Sequence, residues 1–317
     1  MTSSTSTRQP PRPTPALIGW LLDADPAIRW QVMRDLTDAP ADAVAAERAR
    51  VALEGWGAQL LARQNPAGDW GDDVPPANWA STLYTLLLLR SMGLDPASEP
   101  ARRAVGLVRD RVTWGPEFGD APFFEGEVEP CINGGTLALG AYFGEASDRL
   151  VDRLVGEQLA DGGWNCDAPP SRRSSFHTTI CVLEGLLEYE RAKGPSATVS
   201  EARARGEAYL LDRHMFRSAS TGAVIDPRWT RFAFPTTWHY DVLRGLDYLR
   251  HAGVEPDERV AEAVGLVAER RHQNGRWPLG HLHRDPVHLD MEGGKGKASR
   301  WITLRAMRVL NWHAVRG

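Results

Sequence analysis

The residues of this chain best suited to chemistry are its cysteines and a few of its histidines. Cys131, Cys166, His177 and His239 together make the donor set that tetrahedral zinc takes, two thiolates and two imidazoles. They are scattered and contain no Cys-x-x-Cys pair, so only a fold that gathers them gives them meaning. Glu129, Asp167 and Asp241 are close enough in sequence to serve as alternative ligands or to orient a histidine. The plainer reading is that a cysteine beside an apolar helix is a small buried hydrophobe and that a histidine at a helix start is a cap. Cys181 lies one turn beyond His177 inside an apolar stretch and is read as core.

Other polar residues compete for attention. Asp23-Ala24-Asp25-Pro26 crowds two carboxylates, and Asp72-Asp73 follows Trp70 in a polar loop as a solvated pair. Crowded carboxylates matter because one of them can keep its proton and act as a strong acid. A later run holds His281, His283, Asp285, His288, Asp290 and Glu292, then Lys295, Lys297 and Arg300. It reads as a polar lid, as a second metal site, or as a basic clamp for an anion at a helix start. Arg172, Arg173, Arg228 and Arg231 would reinforce the clamp if they point inward. Trp79, Tyr84, Phe176, Trp238, Tyr240 and Trp301 fall at or near the starts of apolar helices, where aromatic faces suit cations and flat apolar ligands. Ordinary core packing is the alternative for each of them.

Helices must position these residues. Gln64-Asn65-Pro66-Ala67-Gly68-Asp69-Trp70 matches Gln158-Leu159-Ala160-Asp161-Gly162-Gly163-Trp164 in register, and Asn274-Gly275-Arg276-Trp277 is a third copy with Arg271 in the Gln position. Each copy follows an amphipathic helix and precedes a more apolar one. Apolar helices are expected near residues 27–37, 78–92, 132–144, 175–190, 236–250 and 299–312, and more polar ones near 15–24, 42–64, 99–112, 147–160, 200–213 and 257–272. Only the second kind has a face fit for water, so strict alternation predicts an inner wall inside an outer wall. The fold expected is all-α, an (α/α)6 toroid over residues 15–317 after a disordered tail at 1–14. Ser81, Ser174, Ser175, Thr236, Thr237 and Ser299 are placed to cap inner-helix starts, and Gly93, Gly144 and Gly253 to end them. All inner helices then run one way, and Cys131, Cys166, His177 and His239 gather at the rim formed by their leading ends.

The Gln-x-x-x-Gly-x-Trp copies resemble the QW repeat of squalene and oxidosqualene cyclases, and the alternating ring is similar to the β-subunits of protein prenyltransferases. The resemblance covers nearly the whole chain after residue 14, and SRWITLRAMRVL and SSFHTTICVLEGL look closest to short bacterial squalene-cyclase-like proteins. Squalene-type cyclisation would require an Asp-x-Asp-Asp acid, which this sequence lacks, and it has no Asp-Asp-x-x-Asp cluster for magnesium and a diphosphate. The prenyltransferase resemblance implies zinc held by an Asp-x-Cys and a later His. Glu129-Pro130-Cys131 and Phe176-His177-Thr178 stand in those places, with Glu for Asp and a shorter spacing.

Bulk properties narrow the partners. A net charge of −4 over 317 residues gives no electrostatic case for nucleic acid or an anionic membrane. No apolar run approaches the roughly 20 residues that a membrane-spanning helix needs, and the first residues lack the apolar core of a secretion signal. Three cysteines, an odd number, argue against a disulfide framework and for the reducing cytoplasm. Twelve tryptophans call for wide apolar contacts with partners for their N–H groups. The expected function is a zinc-assisted enzyme acting on a hydrophobic small molecule of isoprenoid type. The substrate would rest against Trp79, Phe176, Trp238, Tyr240, Arg300 and Trp301. The alternatives are a non-catalytic protein that binds or sequesters an apolar ligand, and a helical-repeat scaffold for another protein.

Overall fold

The computed structural model describes residues 13–71, 78–283, 289–291 and 293–314. Residues 1–12 of the expected tail, and Asp72, Asp73, Asp285, His288 and Glu292, lie outside the described residues. Thr14 belongs to the fold, because its hydroxyl accepts from Leu17 N and caps the first helix.

Thirteen α-helices are described: α1 (Pro15–Leu22), α2 (Pro26–Leu36), α3 (Ala41–Ala49), α4 (Gly55–Ala62), α5 (Asn78–Met92), α6 (Glu99–Arg111), α7 (Pro130–Phe143), α8 (Asp148–Gly156), α9 (Phe176–Lys193), α10 (Ala197–Leu211), α11 (Val242–Ala252), α12 (Ala261–Glu269) and α13 (Arg300–Ala314). One two-residue antiparallel pairing joins β1 (Trp277–Pro278) to β2 (Ala298–Ser299). The inner wall is α2, α5, α7, α9, α11 and α13; the outer wall is α1, α3 with α4, α6, α8, α10 and α12. Burial separates the two: α7 and α9 are buried over most of their length, whereas α3 has no buried residue. The protein is an all-α (α/α)6 toroid.

Two boundaries differ from the sequence expectation. The outer helix expected over 42–64 is two helices, broken at Gly55. The Asp25 carboxylate explains the break, since it caps α2 through Ala27 N at 2.9 Å and α4 through Trp56 N at 2.7 Å. Gly55 has φ +68° there, and a Cβ on it would fall 2.1 Å from the Asp25 carboxylate. The inner helix expected over 236–250 begins only at Val242. Its cap is Asp241, whose carboxylate accepts from Arg244 N at 2.8 Å and from Ala233 N at 3.0 Å, rather than Thr236 or Thr237.

The repeated Gln/Gly/Trp copies act as fasteners. Trp70, Trp164 and Trp277 are fully buried, and their indole N–H groups donate to Leu60, Leu154 and Val267 carbonyls of the preceding outer helices. Their backbone N–H groups donate to Thr82, Thr179 and Thr303 hydroxyls in the following inner helices. Gln64 donates to Gly68 O in its own loop and to Ala104 O of the next outer helix; Gln158 does the same to Gly162 O and Ala202 O. The Gln therefore ties one hairpin to the next outer helix. In the third copy the Arg271 guanidinium lies over the Trp277 ring, 5.5 Å from its centre.

The ring closes between its first and last hairpins. Arg308 of α13 reaches Asp35 at 2.6 Å and Gln31 at 2.8 Å on α2. On the opposite side of the ring α7 and α9 touch backbone to backbone at Gly134 and Gly185, where a Cβ would meet main-chain atoms at 2.5–2.6 Å. A cavity of about 400 Å³ lies inside, lined by the middle and trailing parts of the inner helices. Tyr84, Phe234 and Trp301 bound it toward the leading ends, and Phe234 stacks on Trp301 with ring centres 4.1 Å apart.

Candidate metal centre

At the leading rim the structure brings three chemically able side chains together. One ligand atom each from Glu129, Cys131 and Cys166 lies within 4.8 Å of the others, the closest grouping of metal-ligating side chains among the described residues. Cys131 is the second residue of α7, after Pro130 at the position where a missing N–H costs no helix bond. Glu129 is the residue before that helix, and its Oε2 is 3.8 Å from Cys131 Sγ.

The supports of this group were not foreseen from sequence. Glu127 accepts from Glu129 N at 2.8 Å and from Val128 N, which bends the chain tightly ahead of α7. Asn133, fully buried, accepts from Glu127 N at 2.8 Å and donates to Glu127 O at 2.9 Å. Cys166 follows the buried Trp164 by two residues, so the Trp that locks the hairpin also places the thiol. Adjacent hydroxyls on α9 hold both: Thr179 accepts from Trp164 N, and Thr178 contacts Cys166 Sγ at 3.4 Å. The signal in the sequence was the Thr178-Thr179 pair one residue after His177, two hydroxyls at the start of an apolar helix.

Cys131 and Cys166 act on each other's thiol. Their mutual hydrogen bond is the largest influence on each, raising Cys131 and lowering Cys166 from the usual thiol range. Burial raises Cys131 further, and the Thr178 hydroxyl assists the Cys166 thiolate. Two sulfurs and a carboxylate oxygen at these separations fit three corners of a zinc tetrahedron, where sulfur sits about 2.3 Å and oxygen about 2.0–2.2 Å from the metal.

His177 and His239 stand outside this group. His177 Nδ1 accepts from Tyr240 N at 2.8 Å, and its ring packs edge-on against Trp229, Trp238 and His239. Burial, then the charges of His239 and Arg244, depress its pKa to about 4, so it is a neutral packing residue at neutral pH. His239 stacks between Trp238 and His283, with ring centres 3.9 and 3.7 Å away. Asp241 is committed to the α11 cap, and Asp167 is exposed. Cys181 is buried, its thiol raised to about 11 by that burial.

The residues expected to hold a substrate separate in the same way. Trp301 faces the cavity, and Tyr84 joins it. Trp79 packs on Trp114; Phe176 and Tyr240 are buried with Tyr209 and Trp229. Trp238 is half-buried on the rim. Arg300 turns away to donate to Trp20 O and Asp23 O, and its guanidinium lies 4.7 Å from the Trp20 ring centre. It is a ring-closing residue, because the carbonyls that end α1 offer the nearest acceptors.

No protein-family model matches the chain, and no curated protein does. Among solved structures, the chain is similar to a type II terpene cyclase from Scytonema in complex with merosterolic acid A, at 18% identity, 92% of this chain, 87% of that chain and a TM-score of 0.46. It is also similar to ent-copalyl diphosphate synthase from Streptomyces platensis, at 15% identity over 92% of this chain and 54% of that one, with a TM-score of 0.42. A GH76 alpha-mannanase of Bacteroides thetaiotaomicron matches at 14% identity over 78% and 72%, also with a TM-score of 0.42.

Proposed function

We propose that this chain is a zinc-dependent enzyme of transferase or cyclase-like type, with Glu129, Cys131 and Cys166 as the protein ligands. The observation that carries the reading is the convergence of these three donors at the leading rim. Three ligands leave one corner of a tetrahedron for substrate or water, the arrangement of catalytic rather than structural zinc. When bound, the metal supplies Lewis acidity or an activated sulfur or water nucleophile.

The chain's own residues do the positioning. Glu127 and Asn133 fix the turn that presents Glu129 and Cys131. Thr178 meets Cys166 and favours negative charge there. A hydrophobic small molecule of isoprenoid type is the substrate class we carry forward. The half-buried indoles of Trp79 and Trp238 on the same rim support it. A reducing cytoplasm is the compartment in which both thiols stay available to a metal.

Metal analysis tests this directly. Protein purified without a histidine tag should hold one equivalent of zinc. Cys131→Ser and Cys166→Ser should each abolish stoichiometric binding, Glu129→Gln should weaken it, and His177→Ala should retain it. Folded protein that takes up no zinc from a buffered supply would end the proposal, as would zinc that persists in both serine variants.

A further inference from the structure

The cavity inside the ring has a lining that the zinc reading does not use. Eight arginines face it, against three carboxylates, among the described residues. Ion pairing accounts for only part of that charge. Arg250 and Arg305 share Asp247, Arg90 and Arg191 share Glu188, and Arg34 and Arg308 share Asp35. Arg244 pairs with Glu184, whose charge Arg90 and Arg305 also feel, and Arg48 donates to Gly93 O and Tyr142 Oη. The interior therefore carries about four more positive than negative groups.

Helix ends explain some of the excess. Arg48 and Arg191 donate to Gly93 O and His251 O, where α5 and α11 finish, and cations are favoured at such ends. Arg305 and Arg308 are different, since they lie in the body of α13 rather than at its end. Arg250 and Arg305 give Asp247 only their Nε atoms, at 2.9 and 3.2 Å, and Arg90 gives Glu188 one Nη at 3.1 Å. Among the described residues, Arg250 and Arg305 hydrogen-bond through Nε alone, and Arg90 meets a carboxylate only through that Nη. All three side chains are largely buried, at 21, 14 and 14% exposure. An anion seated among these groups would find guanidinium N–H donors that the protein's own carboxylates leave open. Burial pushes Arg308 down to about 10 against the pull of Asp35 and Asp247, and Arg250 and Arg34 add a smaller push the same way.

We infer that this cavity is a binding site for a compact, multiply charged oxyanion, a phosphate or a polycarboxylate, gripped by Arg90, Arg250 and Arg305. Guanidinium forks match both chemistries two bonds at a time. The volume, about 400 Å³, admits a small organic molecule but not a polymer. Arg34 and Arg191, with side chains 45 and 37% exposed, stand where the trailing ends of the inner helices open to solvent. The anion thus enters from the face opposite the cysteines. The site stands whether or not zinc binds there.

Calorimetric titration of the full chain with inorganic phosphate and with citrate, each at fixed ionic strength set by sodium chloride, tests the inference. Saturable binding of at least one is expected, with the stronger of the two giving the chemical class. Arg305→Gln and Arg90→Gln should each weaken it at least tenfold, while Arg103→Gln, on the exposed face of α6, should leave it unchanged. Should a cavity variant fail to fold, the wild-type protein still decides. Its urea midpoint should rise with citrate or phosphate and saturate, with no such rise in chloride. Heats and midpoints no different from chloride, or binding untouched in both cavity variants, would overturn the site.

Discussion

Arg244 and Glu184 form a two-pronged ion pair between neighbouring inner helices, Nε to Oε1 at 2.9 Å and Nη2 to Oε2 at 3.0 Å. The same guanidinium donates to Thr237 O at 3.0 Å and His239 O at 2.7 Å. One buried side chain thereby fastens α11 to α9 and holds the irregular segment that carries Trp238 and His239.

Arg244→Met should be severely destabilising. It strands Glu184 and frees two loop carbonyls, and breaking a buried pair costs about 3–5 kcal/mol. Urea unfolding should show that loss. The double variant with Glu184→Met should lose less than the two single losses added, because the second change removes the stranded charge. Additive losses would mean that the pair is not energetically coupled.

The threonines behind the buried tryptophans make a second test. Thr179→Val keeps the volume but leaves Trp164 N–H buried without its acceptor, at a cost of about 1–3 kcal/mol. Thr82→Val and Thr303→Val should cost the same within error, since Trp70 and Trp277 use them identically. A null effect at all three would show that these hydroxyls do not hold the hairpins.

Acid should unfold the ring through its inner carboxylates. Burial alone would raise Asp35, Glu184, Glu188 and Asp247, but the arginines around them hold all four below the usual carboxylate range. A carboxylate with a depressed folded pKa contributes stability that is complete above its unfolded value and is lost as pH falls through the folded one. The loss therefore begins near pH 4 and deepens below it. Asp241 has the opposite sign, since burial raises it, and it offsets a little of the effect. Urea midpoints measured from pH 6 down to pH 3 should fall, and Glu188→Gln should flatten the curve. A midpoint that stays level below pH 4 would contradict the assignment.

What the sequence revealed and what it hid divide along a physical line. Helix periodicity and the Gln/Gly/Trp copies are local signals, and ten of the twelve expected helical segments lie within a few residues of the observed ones. The late start of α11 was hidden because Asp241 caps it through contacts with Ala233 and Arg244 that only the folded chain creates. At the rim, Glu129-Pro130-Cys131 was readable as a ligand pair, and Cys166 was placed by its loop. The two histidines were indistinguishable from ligands in sequence, since Tyr240 N and the His283 ring become neighbours of His177 and His239 only on folding. The inner arginines were visible inside LLLLRSM and WITLRAMRVL. Apolar surroundings suggested a greasy cavity and masked the charge that those arginines direct into it.

The contact between α7 and α9 sets the last test. Gly134 and Gly185 let the two backbones touch, and a methyl group at either would meet main-chain atoms at 2.5–2.6 Å. Main chain cannot rotate aside as a flexible side chain can, so Gly134→Ala and Gly185→Ala must push the helices apart, at about 1–3 kcal/mol or more. Gly19 in α1 provides the contrast, because nothing lies within 4 Å of its added Cβ. Gly19→Ala should instead stabilise by about 0.4–1 kcal/mol through the reduced freedom of the unfolded chain. Thermal melts of the three variants should therefore move in opposite directions. The α7 displacement should also disturb the rim, since Cys131 rides on the first turn of that helix. Gly134→Ala is accordingly expected to weaken zinc uptake as well as stability, whereas Gly19→Ala leaves uptake unchanged. Equal melting temperatures for Gly134→Ala and the parent would show that the two helices are not in backbone contact.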